Sequence, residues 1–328
     1  MTDMTKDIDA IVLKKVTKTF EYKTYKGLKG FFSPDKKDIK AVDDISLTIK
    51  RGEAVAFIGP NGAGKSTTIK MLSGILQPTK GIVSVLGLDP IKNRRQLAMR
   101  IGTVFGQRSQ LIFNLPLTDS FYLTAKMYRM PHDEVEPRIA ELTQQFGLSE
   151  FIDQPVRKLS LGQRMRAEVA NALLHKPDII FLDEPTIGLD VVAKRSLRET
   201  IKKVNKEQGT TVFLTSHDVG DIEEVCGRTM IVNHGKVVLD AKTTELKRLY
   251  LQDKTVIVLP AQEILDQPTI EGVQPTFNKG RLLYRVNTKK LPLKKFLQSL
   301  LKEIDIADLT IEDMPLEDVI HDMYTKAA

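Results

Sequence analysis

Residues 59–66 have the composition of a loop that binds phosphate. They read Gly59-Pro-Asn-Gly-Ala-Gly-Lys-Ser66, match the pattern G-x-x-x-x-G-K-[ST], and stand between an apolar run and a helical pattern. Glycines let backbone amides turn toward phosphate oxygens at a helix N-terminus, the lysine reaches the β- and γ-phosphates, and the serine hydroxyl binds Mg²⁺. The predicted nucleotide-binding residues of this P-loop are Gly59, Pro60, Asn61, Gly62, Ala63, Gly64, Lys65, Ser66 and Thr67.

Two adjacent carboxylates follow another apolar run. Ile179 to Leu182 leads directly into Asp183 and Glu184, and a parallel sheet places such side chains at the edge where nucleotides bind. Asp183 then suits the Mg²⁺ shell, and Glu184 can take a proton from an attacking water. An apolar strand that ends in Asp-Glu is common, so the pair becomes a candidate site because a P-loop precedes it.

Composition and charge narrow the class of protein. The chain has 328 residues, of which 41% are hydrophobic and 28% charged, with a net charge of +7 and one cysteine. This length predicts about two domains. No run approaches the roughly 18 apolar residues that cross a bilayer, and residues 1–10 do not resemble a secretory signal. Cys226 alone excludes an internal disulfide and a multi-cysteine metal site, and we expect it to be buried.

The order of patterns along the chain predicts an α/β fold. Short apolar runs alternate with helical patterns through the first two thirds, which is typical of domains with a largely parallel sheet. The predicted buried strands are 54–58, 178–182, 211–215 and 229–232.

The same patterns predict how the domains are arranged. Residues 112–173 are mostly helical in pattern and form a subdomain inserted into the sheet domain, which spans 1–250 and carries a basic insertion at 21–40. Residues 251–328 predict a small α+β domain, in which apolar residues over 293–304 recur on one face of a helix.

Five segments in order resemble the motifs of ATP-binding cassette (ABC) ATPases. They cover about residues 10–240, and the signature-like segment ends 20 residues before Asp183. The resemblance implies a P-loop NTPase fold of the ABC type. Besides the P-loop, the segments are Gln107, like the Q-loop; Leu159-Ser160-Leu161-Gly162-Gln163, like the signature; Gly188-Leu189-Asp190, like the D-loop; and Thr215-Ser216-His217-Asp218, like the switch histidine.

The resemblance implies a nucleotide site shared between two chains. In the family, two cassettes pair head to tail, and ATP on one P-loop is capped by the signature of the other chain. The signature residues are Ser160, Leu161, Gly162 and Gln163, and Asp190 links the two sites. The residues implied in catalysis are Glu184, His217 and Gln107. The residues implied in binding Mg²⁺ are Ser66, Gln107 and Asp183.

Two features depart from the commonest family pattern. Leu161 stands where the signature usually has Gly, and we expect tighter packing there with activity retained. The aromatic residue that stacks on adenine usually lies in a short loop between the first strands, and that loop is expanded here over 21–40. Phe20 follows Val16-Thr-Lys-Thr19 as the family pattern suggests and is the preferred stacking residue, with Tyr22 and Tyr25 as alternatives.

The basic insertion has two interpretations. Lysines alternate with aromatic residues over 21–40, where Phe31 and Phe32 are adjacent. It is either a solvated loop or an interfacial segment whose lysines meet anionic lipid while the two phenylalanines contact the headgroup boundary or a permease.

The end of the chain suggests a subfamily. Met314-Pro-Leu-Glu-Asp-Val319 resembles part of the tail domain of drug- and polysaccharide-export cassettes of the ABC-2 type. The implied protein is a peripheral ATPase at the cytoplasmic face of the cell membrane. Its implied partners are ATP, Mg²⁺, a second cassette and separate transmembrane permease subunits, and no nucleic acid is expected.

Other classes of P-loop protein explain less of the sequence. A soluble ABC ATPase acting on ribosomes or DNA is the main alternative. The translation-factor type normally carries two cassettes, whereas one P-loop is present here, and the 95 residues from Lys65 to Ser160 hold no sustained heptads for a chromosome-type coiled coil. A P-loop kinase or GTPase leaves the signature and the His217 segment unexplained.

Overall fold

The computed structural model describes residues 9–24, 35–106, 109–250, 253–262, 268–278 and 280–313. The chain divides into two compact units, Met1–Ala241 and Lys242–Ala328. The sequence places this division after residue 250, and the structure places it after Ala241.

Strands and helices alternate through the first unit. Its described strands are β1 (Ile11–Thr24), β2 (Asp35–Ile49), β3 (Ala54–Ile58), β4 (Lys80–Val85), β5 (Ile101–Phe105), β6 (Ile179–Asp183), β7 (Thr211–Thr215), β8 (Arg228–Asn233) and β9 (Lys236–Lys242). Its described helices are α1 (Lys65–Leu72), α2 (Arg94–Ala98), α3 (Leu117–Met127), α4 (His132–Phe146), α5 (Leu161–Leu173), α6 (Val191–Gln208) and α7 (Val219–Val225), with a 3-10 turn at Val156–Lys158.

The main sheet has the order β5-β6-β7-β3-β8-β9. The adjacent pairs β5–β6, β6–β7, β7–β3 and β3–β8 run parallel, which confirms the α/β fold. Strand β7 is buried throughout its length, as expected for a strand covered on both faces. Because parallel strands end at the same edge, this sheet brings the residues after β3, β6 and β7 together.

A second sheet, with the order β2-β1-β4, is antiparallel. Strand β1 pairs with β2 from Ile11 opposite Ile49 to Thr24 opposite Asp35. The prediction of a loop over 21–40 is therefore wrong at both ends, because the alternation of aromatic and polar residues from Phe20 to Thr24 continues the strand. Residues 25–34, which include Tyr25, lie outside the described residues.

The residues between β5 and β6 are mostly helical. Prolines precede helices α3 and α4 at positions 116 and 131, and Gly147 ends α4 with a φ of 59°. Phe121, Leu142 and Phe146 are buried among these helices. No helix of the described residues is both long enough and apolar enough to cross a membrane.

The second unit is a small sheet with helices. Its described strands are β10 (Asp253–Pro260), β11 (Thr276–Asn278), β12 (Arg281–Asn287) and β13 (Ile306–Asp313), and its described helices are α8 (Thr243–Tyr250) and α9 (Leu293–Glu303). The sheet order is β11-β12-β10-β13, with antiparallel pairs.

The core of the second unit lies between helix α9 and the sheet. Phe296 and Leu300 are buried with Val256 and Tyr284. The Tyr284 ring meets Phe296 edge-on at 5.3 Å, its hydroxyl donates to the Pro268 carbonyl at 2.9 Å, and burial raises its pKa to about 12. The predicted motif at residues 314–319 lies outside the described residues.

Candidate functional site

The P-loop lies between β3 and α1, where two glycines are required by close contacts. A Cβ on Gly59 would lie 2.2 Å from the Val232 carbonyl oxygen, and a Cβ on Gly64 would lie 2.3 Å from that of Ala41. Gly64 also has a φ of 103°, in the left-handed region, and precedes the first residue of α1. The loop can therefore approach neighbouring backbone only with glycine at these positions.

Lys65 is the buried cation of the loop. Its side chain is only 6% exposed, and its Nζ donates to the carbonyls of Gly59 at 2.6 Å and Pro60 at 3.2 Å. Burial lowers the pKa of the Lys65 ammonium, while the carboxylates of Glu184 and Asp183 oppose that shift. The Lys65 ammonium is thus held against the carbonyls of the loop, near the carboxylates of Asp183 and Glu184.

Asp183 and Glu184 are both fixed by one residue at the end of the neighbouring strand. Thr215 donates its hydroxyl to Asp183 Oδ1 at 2.6 Å and accepts the Glu184 amide on its carbonyl at 2.9 Å. Glu184 has a φ of 54°, which is uncommon for a residue with a side chain and is found at functional sites. Sequence analysis assigned Thr215 no role, because the cross-strand contact is visible only in three dimensions.

His217 follows β7 and reaches both neighbouring charges. Its Nε2 lies 2.9 Å from Glu184 Oε1 and 3.3 Å from Lys65 Nζ. A hydrogen bond to the Glu184 carboxylate requires a hydrogen on Nε2, whereas a hydrogen bond from the Lys65 ammonium requires Nε2 to accept, so Nε2 forms one of these two bonds at a time. The structure thus brings together Lys65, Glu184 and His217, which lie up to 152 positions apart in the chain.

Ser160 and Gln163 are arranged at the start of helix α5. Ser160 Oγ accepts the amide of Gln163 at 3.2 Å, and the Gln163 side chain accepts the Ser160 amide at 2.9 Å. This reciprocal pair is a capping box, which stabilises the helix start and fixes the direction of its N-terminus. The signature-like segment is therefore ordered within a single chain.

Leu161 is half-exposed and packs against the D-loop-like segment. A Cβ on Gly188 would lie 2.8 Å from Leu161 Cδ2, and Gly188 has a φ of 73°. The bulky residue thus contacts the turn that precedes Asp190. Asp190 caps helix α6 by accepting the Ala193 amide at 2.8 Å.

Phe20 lies near the end of β1. The Nζ of Lys18 lies 5.2 Å from the centre of the Phe20 ring and also donates to the Gln77 carbonyl at 2.9 Å. Phe20 as the adenine-stacking residue stays a prediction. Gln107 lies outside the described residues.

Glu168 is a buried acid that sequence analysis missed. It is 6% exposed on helix α5, accepts the Gln110 amide on both oxygens at 3.1 Å, and accepts the Ser109 hydroxyl. Burial raises the pKa of Glu168, and the hydrogen bonds from Ser109 and Gln110 oppose the shift. Its spacing from Met165 and Ala172, both buried, places an acid on the buried face and could have revealed it.

The residues at this edge of the sheet fit the Mg²⁺ that the resemblance implies. A cavity of about 370 Å³ is bordered by Ser66, Asp183 and Glu184. Hydroxyl and carboxylate oxygens are the ligands that Mg²⁺ prefers, together with phosphate oxygens and water. Among the described residues, Lys70, Ile75, Phe105, Gly106 and Ile187 also line the cavity.

Comparisons with known proteins show which family the chain resembles. Residues 42–187 match the sequence model of the family described as ABC transporter. The chain is 35% identical over 207 residues to the ABC transporter ATP-binding protein NatA of Bacillus subtilis (strain 168), a match that covers 63% of this chain and 84% of NatA. It is 33% identical over 229 residues to the bacitracin transport ATP-binding protein BcrA of Bacillus licheniformis, covering 67% of this chain and 74% of BcrA.

A solved structure with the same fold is also similar in sequence. It is the ATP-binding cassette MJ0796 in a dimeric post-hydrolysis state bound to ADP and Pi, with a TM-score of 0.62 and 30% identity. The match covers 71% of this chain and 98% of that one. The chain therefore belongs to the ABC transporter family, as one of its ATP-binding and ATP-hydrolysing subunits.

Proposed function

We propose that the chain hydrolyses ATP with Mg²⁺ as one half of a head-to-tail pair of cassettes, and that it drives separate permease subunits of an ABC-2 type exporter. The observation that carries the proposal is the cluster around His217. Its Nε2 lies 2.9 Å from Glu184 and 3.3 Å from Lys65. A base, a cation for phosphate and a polar group that can hold water are thus placed at one edge of the sheet.

The chemistry follows from the positions of these residues. The P-loop amides and Lys65 bind the β- and γ-phosphates, and Ser66 and Asp183 would hold Mg²⁺, which neutralises phosphate charge when bound. Glu184 accepts a proton from the water that attacks the γ-phosphorus, while the ADP oxygen leaves. His217 donates to Glu184 and orients it toward that water.

A second copy of the chain is the proposed partner of the signature face. Exposed apolar side chains surround the contact between Leu161 and Gly188, and their burial against another chain would favour pairing. They are Leu161 at 39% exposure, Ile187 at 44%, Val191 at 82% and Val192 at 78%. The similar cassette MJ0796 is dimeric. In such a pair, Ser160 and the N-terminus of helix α5 would complement the γ-phosphate of the partner.

The assignment to an exporter is supported by similarity alone. BcrA, which this chain matches over 74% of its length, is named for bacitracin transport, and the second unit is an addition to the cassette, as in the tail domains of ABC-2 exporters. The proposed location is the cytoplasmic face of the cell membrane, where the chain is peripheral. The alternative is a soluble ABC ATPase that acts on ribosomes or nucleic acid.

Membrane fractionation separates these two functions. The chain is produced with and without a co-expressed permease, and its distribution between membranes, ribosomes and the soluble fraction is measured. We expect a larger share of it at membranes when the permease is present than when it is absent. Sedimentation with ribosomes, or release from the pellet by nuclease, would instead support the soluble alternative.

Lysines of the 21–40 segment are expected to strengthen association with the membrane or permease. Each lysine near an anionic surface contributes about 1 kcal/mol, screened over roughly 8 to 10 Å at physiological salt. Replacement by glutamine should weaken binding to anionic liposomes or to the permease in a salt-dependent way and leave the affinity for MgATP unchanged. The lysines to be replaced are Lys23, Lys26, Lys29, Lys36, Lys37 and Lys40.

The matched control replaces the same six lysines with arginine, which keeps every charge. This variant should bind liposomes or the permease as the unmodified chain does. If the glutamine variant instead keeps its association and loses affinity for ATP, the segment belongs to the adenine pocket. Tyr22 or Tyr25 would then replace Phe20 as the stacking residue.

A further inference from the structure

A cluster of hydrogen-bonded charged and polar side chains surrounds the backbone of the His217 segment. The cluster connects helix α6 to the residues on both sides of His217. We call it the α6 clamp, and its members are Thr186, Lys194, Arg198, Ser216, Asp218 and Asp221.

Asp221 is the buried centre of the α6 clamp. It is 1% exposed and accepts three side-chain donors: Thr186 Oγ1 at 2.5 Å, Ser216 Oγ at 2.6 Å and Arg198 Nε at 2.7 Å. A carboxylate removed from water is stable as an ion only when donors of this kind surround it. The contacts tie Ser216, which precedes His217, to both Arg198 and the segment after Glu184.

Asp218 is the second carboxylate of the clamp. One oxygen accepts Arg198 Nη2 at 2.6 Å, and the other accepts Lys194 Nζ at 2.6 Å. Its backbone amide donates to Ser216 Oγ at 2.9 Å, and its side chain also accepts the Gly220 amide at 2.9 Å. Asp218 is therefore held from both helix α6 and the start of helix α7.

In the chain, His217 lies between Ser216 and Asp218, and the α6 clamp fixes both of these residues. Its own side chain is 47% exposed and reaches Glu184 at 2.9 Å. Arg198 bonds to both carboxylates of the clamp and so sets the backbone from which the imidazole projects. Helix α6, which supplies Arg198, begins at the cap formed by Asp190.

On the basis of the proposed function, we propose that Arg198 is a positioning residue that holds His217 against Glu184. Through Arg198, the position of the Asp190 segment would also determine the position of His217. Arg198 acts through Asp218 and Asp221 and does not itself contact the nucleotide. A displacement of about 1 Å in a reacting geometry can lower a rate by about 100-fold. A shift of helix α6 when a second chain meets Asp190 would thus change the hydrolytic step.

A purely structural role predicts a different result. The clamp includes a buried ion pair, and breaking it by removing one partner destabilises a protein. A variant that only loosens the fold would lower thermal stability and ATP binding together. A positioning role lowers kcat with little change in the KM for ATP, and the loss depends on His217.

The experiment compares Arg198→Lys with Arg195→Lys in the full chain. Lysine keeps the charge but not the geometry that lets Arg198 reach three carboxylates, those of Asp218, Asp221 and Glu224. Arg195 lies on the same helix, is 76% exposed, and forms an ion pair with Glu199 at 3.1 Å. We expect Arg198→Lys to lower kcat by about 10-fold or more with KM within about twofold, and Arg195→Lys to match the unmodified chain.

A double variant tests the route through His217. If Arg198 acts by placing the imidazole, Arg198→Lys should cause no further loss of kcat when His217→Ala is already present. The same fold-loss in both backgrounds would overturn the proposal, as would an unchanged kcat in Arg198→Lys alone.

Further measurements cover two cases, a variant that does not fold and a chain that does not hydrolyse ATP. If Arg198→Lys does not fold, Asp218→Asn tests the same route, because it removes one charge of the clamp and leaves the Arg198 contact with Asp221 in place. Absence of Mg²⁺-dependent hydrolysis by the unmodified chain would refute the proposed function. Hydrolysis that falls in His217→Ala but is unchanged in the folded Arg198 and Asp218 variants would refute this inference alone.

Discussion

The substitution Glu184→Gln is expected to lower steady-state ATP turnover by about 100-fold or more, because general-base catalysis contributes roughly 10²–10⁴-fold. Glutamine keeps the shape of the side chain and can keep a hydrogen bond to His217, which lies 2.9 Å from Glu184. It cannot accept the proton of the attacking water. Binding of ATP, which we assign to the P-loop and Lys65, should therefore persist while phosphate release stops.

The trapped state gives a second readout of the same substitution. With ATP bound and hydrolysis blocked, Glu184→Gln should accumulate as an ATP-bound dimer in size-exclusion chromatography with light scattering. The matched control is Glu207→Gln, an exposed acid on helix α6, which should hydrolyse ATP normally. Turnover of Glu184→Gln within a few-fold of the unmodified chain would show that another group is the base.

The main sheet could be predicted from the sequence because its strands are buried on both faces. Such strands are continuous apolar runs with sharp ends, and the runs at 54–58 and 211–215 coincide with β3 and β7. Parallel pairing then places the strand ends together, so the meeting of Lys65, Glu184 and His217 follows from the order of the motifs.

The antiparallel sheet was missed because its pattern is interrupted. The register of β1 against β2 shifts between Leu13 and Val16 and again between Val16 and Lys18. Each irregularity moves side chains relative to the two-residue period. An extended strand with bulges therefore lacks the regular alternation by which a half-buried strand is recognised.

The contacts that support the site could not be predicted from the sequence, since they join residues far apart in the chain. Thr215 orients Asp183, and Arg198 reaches Asp218 and Asp221 from another helix. Arg198 belongs to a helix with many charged residues, and the sequence does not indicate which of them has a buried partner. Glu168 and Asp221, which are acids on the buried faces of helices α5 and α7, did carry a pattern that could have been interpreted.

Lys65→Ala and Ser160→Arg are expected to separate binding of ATP from closure of the dimer. Lys65→Ala removes the cation that we propose faces the β- and γ-phosphates and should weaken ATP binding by the monomer. Ser160→Arg leaves the P-loop intact, so the monomer should bind ATP with unchanged affinity. Its long side chain would occupy the space that a partner's nucleotide needs, and both dimerisation and hydrolysis should be lost.

Ser160 also caps helix α5, so the loss of the cap must be measured separately. Removal of a serine cap costs about 1 kcal/mol of stability, and Ser160→Ala loses the same hydrogen bond from the Gln163 amide without adding bulk. Thermal unfolding should shift equally in the two Ser160 variants. In the Glu184→Gln background, only Ser160→Arg should remain monomeric with ATP. Equal loss of ATP affinity in Lys65→Ala and Ser160→Arg, measured by equilibrium titration, would contradict a site shared between two chains.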